Sequence, residues 1–125
     1  MKSRQTILVV EDDRQLRKAL VTTLEGQGYA VISAEDGEEG LKLAKTKLPS
    51  LLILDLLMPK MNGQEMLKLL RRDDKTKQIP VVVLTNDASP RSIKQASASG
   101  APAYFSKAST TLKELLDIVG YHLNA

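Results

Sequence analysis

The sequence predicts a three-layer α/β domain built on a doubly wound parallel sheet of five strands. Five short apolar runs alternate along the chain with longer segments of helical period, which gives five successive β–α units. The apolar runs are continuous rather than alternating, a pattern typical of parallel strands that are covered by helices on both faces. Strands joined in this way cross over right-handed, so the helices are wound onto both sides of one sheet.

Each predicted strand corresponds to a short run rich in apolar or β-branched residues. The first (TILVV), third (LLIL) and fourth (IPVVVL) runs are the most apolar, and Pro80 falls near the start of the fourth, where a missing N–H matters least. The second run is β-branched, and the fifth is short and is expected at an edge of the sheet. The strands are predicted at residues 6–10, 29–34, 51–54, 79–84 and 102–105.

The helices are predicted from apolar spacing and from residues that begin or end a helix. In the first helix, leucines recur every four residues and Gly28 marks the end. Asp36 and Glu39 have the spacing of a capping box, and so do Thr111 and Glu114. A Ser-Pro dipeptide opens the fourth helix. The predicted helices occupy 13–28, 37–47, 64–73, about 90–100 and a last segment that begins at 109–111.

Composition narrows the classes of function. The length of 125 residues predicts a single domain (1–125) with no output domain. The chain has no cysteine, which excludes thiolate metal sites, and its one histidine, His122, excludes a multi-histidine site. A net charge of +3 without a long basic run, with 3% aromatic residues, argues against direct nucleic-acid binding. No apolar run approaches the ~20 residues of a membrane span, so we expect a cytoplasmic protein without membrane contact.

Residues with charged or hydroxyl side chains stand after four of the predicted strands. Asp55 follows the third strand, and the others are Glu11, Asp12, Thr85 and Lys107. In open α/β sheets, ligands bind beyond the carboxyl ends of the strands, which lie at one edge. We therefore expect these five side chains to converge on one site.

The converging carboxylates require a compensating cation, because three such groups in a partly desolvated site repel one another. Oxygen ligands without histidine or cysteine select a hard divalent ion, and Mg²⁺ fits best. Lys107 adds a second positive charge, and Thr85 adds a hydroxyl donor. Together these groups predict phosphoryl transfer, with a carboxylate as the nucleophile and an acyl phosphate as the product.

Four motifs occur together along the chain: ILVVEDD (7–13), LLILDLLMPKMNG (51–63), VVVLTND (81–87) and AYFSK (103–107). In their order and spacing the sequence resembles the response-regulator receiver family of two-component signalling, over essentially its whole length. The resemblance implies the fold of the chemotaxis regulators in this family. That fold is a flavodoxin-like parallel sheet with the strand order 2-1-3-4-5.

The resemblance implies roles for the acidic residues. Asp55 is the phosphoacceptor and also a ligand of Mg²⁺. Asp12 is a direct metal ligand, Glu11 acts through a water molecule, and the backbone carbonyl of Leu57 completes the protein ligands. The expected function is a signalling switch, in which Asp55 accepts a phosphoryl group and a protein-binding face changes. Such a chain is not an enzyme in the usual sense, although it catalyses its own Mg²⁺-dependent phosphorylation and dephosphorylation.

The resemblance also implies that Lys107 and Thr85 bind the phosphoryl group, and that Thr85 and Tyr104 act as the switch residues. The family usually has a proline after this lysine, whereas this chain has Ala108. A cis bond before a non-proline residue costs about 2.5–4 kcal/mol. We therefore expect a trans Lys107–Ala108 peptide bond and a loop conformation that differs from the usual one of the family.

Three further positions are candidate modulators of the site. Asn86 stands where the family usually has a small residue, and Leu57 and Asp87 occupy positions that influence the lifetime of the phosphoryl group. Ala108 and Asn86 keep a second interpretation open, a receiver-like binding module that does not use phosphorylation. A phosphatase of the haloacid-dehalogenase type is disfavoured, because it needs an aspartate where Leu57 stands.

The resemblance implies partners as well. A sensor histidine kinase or a phosphotransfer protein would supply the phosphoryl group, and an unidentified downstream protein would bind the changed face. That face is expected on the fourth helix (91–99) and the fifth strand. Family members often dimerise through the last helices and strand five, so a homodimer is a further expectation.

Overall fold

The computed structural model describes residues 5–87, 89–101 and 103–124. Its sheet has five parallel strands in the order β2-β1-β3-β4-β5, which confirms the predicted topology. The strands are β1 (Thr6–Val10), β2 (Ala30–Ala34), β3 (Leu51–Leu54), β4 (Val81–Thr85) and β5 (Ala103–Ser106). The helices are α1 (Arg14–Gly26), α2 (Gly37–Lys47), α3 (Gly63–Arg72), α4 (Pro90–Ala98) and α5 (Leu112–Asn124).

Two apolar layers sandwich the sheet, because successive side chains of a strand point to opposite faces. Leu8, Leu52 and Val83 belong to the layer that packs against α2, α3 and α4. Ile7 and Ile53 belong to the opposite layer, with residues of α1 and α5. Both faces of the three central strands are therefore buried, which is why their sequences are continuous apolar runs.

The strand register brings the carboxyl ends of the central strands to one edge. In the register of β1 with its two neighbours, Val10 is aligned with Ala34 on β2 and with Leu54 on β3. The residues that follow Val10 and Leu54 therefore leave the sheet side by side. This alignment creates the edge at which the predicted site residues were expected.

The structure shifts several predicted boundaries. The fourth strand begins at Val81 rather than 79, because the N–H of Ile79 is engaged with the carbonyl of Thr76 in the preceding turn. It also extends through Thr85, which is aligned with Ser106 of β5, so Thr85 ends the strand rather than following it. The predicted start of the fifth strand, Pro102, lies outside the described residues.

Helix boundaries are set by side chains that cap the helices. Asp13, predicted as the first residue of α1, is its N-cap and accepts hydrogen bonds from two backbone N–H groups. The predicted cap at Asp36 is confirmed, since its carboxylate accepts from the N–H of Glu39. Thr111 and Glu114 form the predicted capping box with both reciprocal bonds. Within the described ranges, no helix is both long and apolar enough to cross a bilayer.

Candidate functional site

Three carboxylates meet at the carboxyl edge of β1 and β3. Glu11 and Asp12 follow β1, and Asp55 follows β3. The N–H of Asp55 donates to the carbonyl of Val10 at 3.1 Å, which holds the two strand ends together. One carboxylate oxygen from each of the three acidic residues lies within 4.8 Å of the others. Glu11 and Asp55 are buried and Asp12 is exposed, so the cluster opens to solvent on one side.

Lys107 neutralises the buried part of this cluster. Its ammonium Nζ lies 2.7 Å from Oε1 of Glu11 and 2.9 Å from Oδ2 of Asp55. The backbone N–H of Lys107 donates to the carbonyl of Thr85 at 3.0 Å, which fixes the start of the loop to the end of β4. No peptide bond of the described residues is cis, so the expected trans bond before Ala108 is confirmed. A trans peptide at this position thus leaves the lysine side chain directed at the carboxylates.

The pKa values of Glu11 and Lys107 are both raised, but for different reasons. Burial, reinforced by the negative charge of Asp55, raises the pKa of Glu11 to about 7, although hydrogen bonds from Lys107 and Asp13 oppose the shift. Burial by itself lowers the pKa of Lys107, but hydrogen bonds to Glu11 and Asp55 outweigh it and the pKa is raised. The site is therefore a crowded set of negative charges that one ammonium compensates incompletely.

The donor set fits Mg²⁺ by its chemistry. All three clustered ligand atoms are carboxylate oxygens, which are the donors that this ion prefers. Octahedral coordination at 2.0–2.1 Å places oxygens roughly 3–4 Å apart, and the observed limit of 4.8 Å requires only small side-chain adjustments. Leu57 lies beside the cluster, because its N–H donates to Oδ1 of Asp55 at 3.2 Å.

The predicted switch residues are joined through a third residue. Thr85 is fully buried, and its Oγ1 accepts a hydrogen bond from the N–H of Asp87 at 3.2 Å. The hydroxyl of Tyr104 donates to the backbone carbonyl of Asp87. Burial, followed by the negative charges of Asp87 and Asp55, raises the pKa of the Tyr104 hydroxyl. Thr85 and Tyr104 therefore both contact the short segment that leads into α4.

The carboxylate of Asp87 belongs to the beginning of α4. It accepts hydrogen bonds from the N–H of Ser89 and from the hydroxyl of Ser92. These bonds lower the pKa of Asp87, with the bond from Ser92 as the largest cause. The other two candidate modulators, Asn86 and Leu57, are exposed beside the site. Asp87 is thus a structural connection to α4, a role that the sequence pattern did not indicate.

Arg17, which no sequence motif indicated, extends its side chain from α1 to the loop that carries two of the carboxylates. Its Nη1 donates to the backbone carbonyl of Glu11 at 2.8 Å and approaches that of Asp12 at 3.4 Å. The only available signal was an arginine four residues after the N-cap Asp13, which is common on a solvated helix face. The contact itself depends on tertiary geometry.

A comparison with known protein families found a match over most of the chain. The family model described as "Response regulator receiver domain" matches residues 7–119. The chain belongs to this family. The resemblance found in the four motifs is thereby confirmed, and the site described above lies within the matched part of this receiver domain.

Curated relatives contain receiver sequences within longer chains. Histidine kinase P4 of Formosa agariphila is 42% identical over 106 residues, which are 85% of this receiver domain and 8% of that protein. The alkaline phosphatase synthesis transcriptional regulatory protein PhoP of Bacillus subtilis is 44% identical over 79 residues, which are 63% of this chain and 32% of that protein. The receiver domain therefore spans less than a tenth of the first relative and about a third of the second.

Solved receiver structures have the same fold. The CheY-like receiver domain protein of Methanospirillum hungatei superposes with a TM-score of 0.92 at 27% identity, covering 98% of this chain and 95% of that one. Chemotaxis response regulator CheY4 of Vibrio cholerae gives a TM-score of 0.89 at 30% identity, covering 97% and 100%. The predicted flavodoxin-like receiver fold is confirmed by these superpositions and by the strand order.

Proposed function

We propose that this receiver domain is a phosphorylation-dependent signalling switch with Asp55 as the phosphoacceptor. The observation that carries the proposal is the position of Lys107, whose ammonium contacts both Asp55 and Glu11 beside the cluster of three carboxylates. An ammonium at this place compensates negative charge before the reaction. It also lies where the oxygens of an incoming phosphoryl group require compensation.

The proposed reaction transfers one phosphoryl group to the Asp55 carboxylate. A lone pair of a carboxylate oxygen forms a bond to phosphorus, and the bond from phosphorus to the imidazole nitrogen of a phosphohistidine breaks. The electron pair of the broken bond remains on the imidazole, which takes up a proton from solvent. The donor is therefore a protein with phosphohistidine, a sensor histidine kinase or a phosphotransfer protein. The relative named histidine kinase supports this class of partner.

Mg²⁺ would be held by Asp12, Asp55 and the carbonyl of Leu57, with Glu11 acting through a water molecule. When bound, the ion would neutralise charge on the phosphoryl oxygens. Lys107 would bind one of those oxygens through its ammonium. Hydrolysis of the acyl phosphate at the same site would return the domain to its resting state.

The hydroxyl of Thr85 would donate a hydrogen bond to a phosphoryl oxygen, a contact that exists only in the modified state. The existing bond between Thr85 and Asp87 ties this change to the beginning of α4, and Tyr104 contacts the same segment. A downstream protein would then bind the altered surface of α4 and β5. We propose a protein partner rather than nucleic acid for this surface, because the net charge is only +3 and the sequence contains no long run of basic residues.

The alternative, a binding module that does not use phosphorylation, rested on Ala108 and Asn86. It predicts a Lys107 side chain turned away from Asp55. The 2.9 Å contact between Lys107 and Asp55 supports the switch instead.

Incubation with Mg²⁺ and acetyl phosphate, followed by intact-mass measurement, tests the proposal. We expect one added phosphoryl group, which is lost with a chelator and in Asp55→Asn. Asp13→Asn is the matched control, because it removes a neighbouring carboxylate that caps α1, and asparagine caps equally well.

Two further results would distinguish the candidate functions. If no mass is added but beryllofluoride binds in the presence of Mg²⁺, rapid hydrolysis of the acyl phosphate is indicated and the switch is retained. If neither phosphoryl transfer nor Mg²⁺ binding is observed, the switch is refuted and the constitutive binding module is favoured.

A further inference from the structure

Arg17 contacts the backbone that carries two of the three clustered carboxylates. Its Nη1 lies 2.8 Å from the carbonyl oxygen of Glu11 and 3.4 Å from that of Asp12, both in the β1–α1 loop. Nη2 lies 3.8 Å from Oε2 of Glu35, a long ion pair with an exposed acid. The Arg17 side chain is 17% exposed, so its position is fixed by the fold rather than sampled freely in solvent.

Other groups fix different atoms of the same loop. Lys107 and the N–H of Asp13 contact the side chain of Glu11, at Oε1 and Oε2 respectively. The N–H of Glu11 donates to the carbonyl of Ala34. Within the part of the chain that the structure describes, Arg17 is the side chain that donates to the carbonyls of both Glu11 and Asp12.

The loop needs such a restraint because its side chains repel the third carboxylate of the cluster. Without a cation between them, rotation of the peptide groups would separate Glu11 and Asp12 from Asp55 and relieve the repulsion. The carbonyl of Glu11 belongs to a buried residue, and a buried carbonyl without a donor is strongly disfavoured. The hydrogen bonds from Nη1 of Arg17, a short one to the Glu11 carbonyl and a longer one to the Asp12 carbonyl, oppose this rotation.

We propose that Arg17 is a positioning residue of the metal site, which holds the peptide groups of Glu11 and Asp12 so that their carboxylates face Asp55. The inference rests on the proposed Mg²⁺ site. Arg17 acts on the ligands through their backbone, which places it in the class of outer contacts that tune metal affinity. We expect the contacts of Arg17 to strengthen Mg²⁺ binding, whereas its positive charge by itself would weaken it.

Calorimetric titration with Mg²⁺ at constant ionic strength tests this role. In Arg17→Met, which keeps an unbranched apolar stem and removes the donors, we expect the Kd to rise about tenfold. Arg17→Lys keeps the charge and a donor but replaces the planar guanidinium by an ammonium on a flexible stem, which holds the Glu11 carbonyl less firmly, so its Kd should rise less. Circular dichroism and urea unfolding of each variant report separately on the fold.

Arg14→Ala is the matched control. Arg14 is exposed at the first residue of α1, and its removal takes away the same charge from the same helix end. We expect unchanged or slightly tighter Mg²⁺ binding in this variant. A Kd that rises in Arg17→Met but not in Arg14→Ala would support positioning, whereas equal changes in the two variants would show that the contacts of Arg17 have no effect of their own and would overturn it.

Three other outcomes also decide the inference. If Arg17→Met folds and binds Mg²⁺ as tightly as the wild type, Arg17 does not position the ligands. If Arg17→Met does not fold, Arg17→Lys carries the test, and a wild-type Kd in that variant refutes the inference. If the wild type binds no Mg²⁺, the proposed function and the inference fail together. If the wild type binds Mg²⁺ and the Arg17 variants bind it equally well, the inference fails alone.

Discussion

Replacing Lys107 by methionine should destabilise the metal-free protein by about 2–3 kcal/mol. Removal of one partner from a buried ion pair costs about 3–5 kcal/mol, because the remaining charge stays uncompensated. Here the side chains of Glu11 and Asp55 are each 3% exposed and both lose their ammonium partner. Lys107 itself is 16% exposed, so water can replace part of the lost interaction, and we place the cost at or just below the lower end of that range.

Urea unfolding and thermal unfolding, each with a chelator and with Mg²⁺, measure this cost and its origin. A domain of 125 residues loses about 4 °C in Tm for each kcal/mol, so the metal-free variant should melt about 8–12 °C below the wild type. Saturating Mg²⁺ should reduce the difference, because the ion supplies positive charge to the same carboxylates and binds only the folded state. A difference that is independent of Mg²⁺ would indicate lost packing rather than lost charge compensation.

Lys60→Met is the matched control for this experiment. Lys60 also pairs with an aspartate, Asp36 at 3.5 Å, but its side chain is 63% exposed. Exposed pairs contribute about 0–1 kcal/mol, so the control should lose little stability. If Lys107→Met is no less stable than Lys60→Met, the buried ion pairs do not compensate the acidic cluster and the reasoning is refuted.

Four further variants test the charge distribution and the packing around the site and in two of the helices. Gly63→Ala should destabilise the protein by at least about 1–3 kcal/mol, because the new Cβ would lie 2.5 Å from the carbonyl oxygen of Asp55. Gly26→Ala should instead stabilise α1 by up to about 1 kcal/mol, because its Cβ would meet nothing within 4 Å. Equal unfolding midpoints of the two variants in urea would contradict this expectation. Asp12→Asn should stabilise the chelator-treated protein by about 1 kcal/mol, since it removes one of three repelling carboxylates, and should weaken Mg²⁺ binding in a calorimetric titration. Asp36→Ala should cost about 1 kcal/mol at pH 7 through loss of the α2 cap. The bond from the Glu39 N–H lowers the pKa of Asp36, so this contribution is present above the unfolded pKa of about 3.9 and is lost as the pH falls through the folded pKa. Urea unfolding at pH 7 and pH 3 should therefore give a smaller difference at pH 3.

The sheet was predictable because its strands are buried on both faces. A continuous apolar run such as LLIL has no alternation that could be confused with a half-exposed strand, and the helices between the runs carry recognisable caps. The convergence of Glu11, Asp55 and Lys107 was predictable for the same reason, since parallel strands end at one edge. The topology of the sheet was therefore sufficient to predict that these three side chains lie together.

Side-chain contacts made across loops could not be predicted from periodicity. The interaction of Arg17 with the β1–α1 loop depends on the direction of one flexible side chain, and the bonds of Asp87 depend on the turn between β4 and α4. The direction of Lys107 was similarly open, because Ala108 replaces the usual proline and changes the expected loop. The boundary at Thr85 was misplaced because strand pairing with β5, rather than the apolar pattern, determines where β4 ends.

The contacts around α4 indicate how a change at Thr85 would be transmitted. The beginning of α4 is attached to the site through Asp87, whose backbone contacts Thr85 and whose carboxylate contacts the first turn of the helix. Its end is attached elsewhere, because Arg71 of α3 donates to the carbonyls of Ser99 and Gly100.

Arg71 also donates to carbonyls of the loop before β4, so the end of α4 is fixed to a part of the core that does not contact the acidic cluster. Under the proposed switch, a hydroxyl of Thr85 that turns toward a phosphoryl group perturbs the bonds at one end of α4 only. The expected response is therefore a displacement of the first turn of α4 about a fixed last turn, rather than a shift of the whole helix. This response would require no repacking of the buried strands and would let a site at the carboxyl edge of the sheet alter one surface.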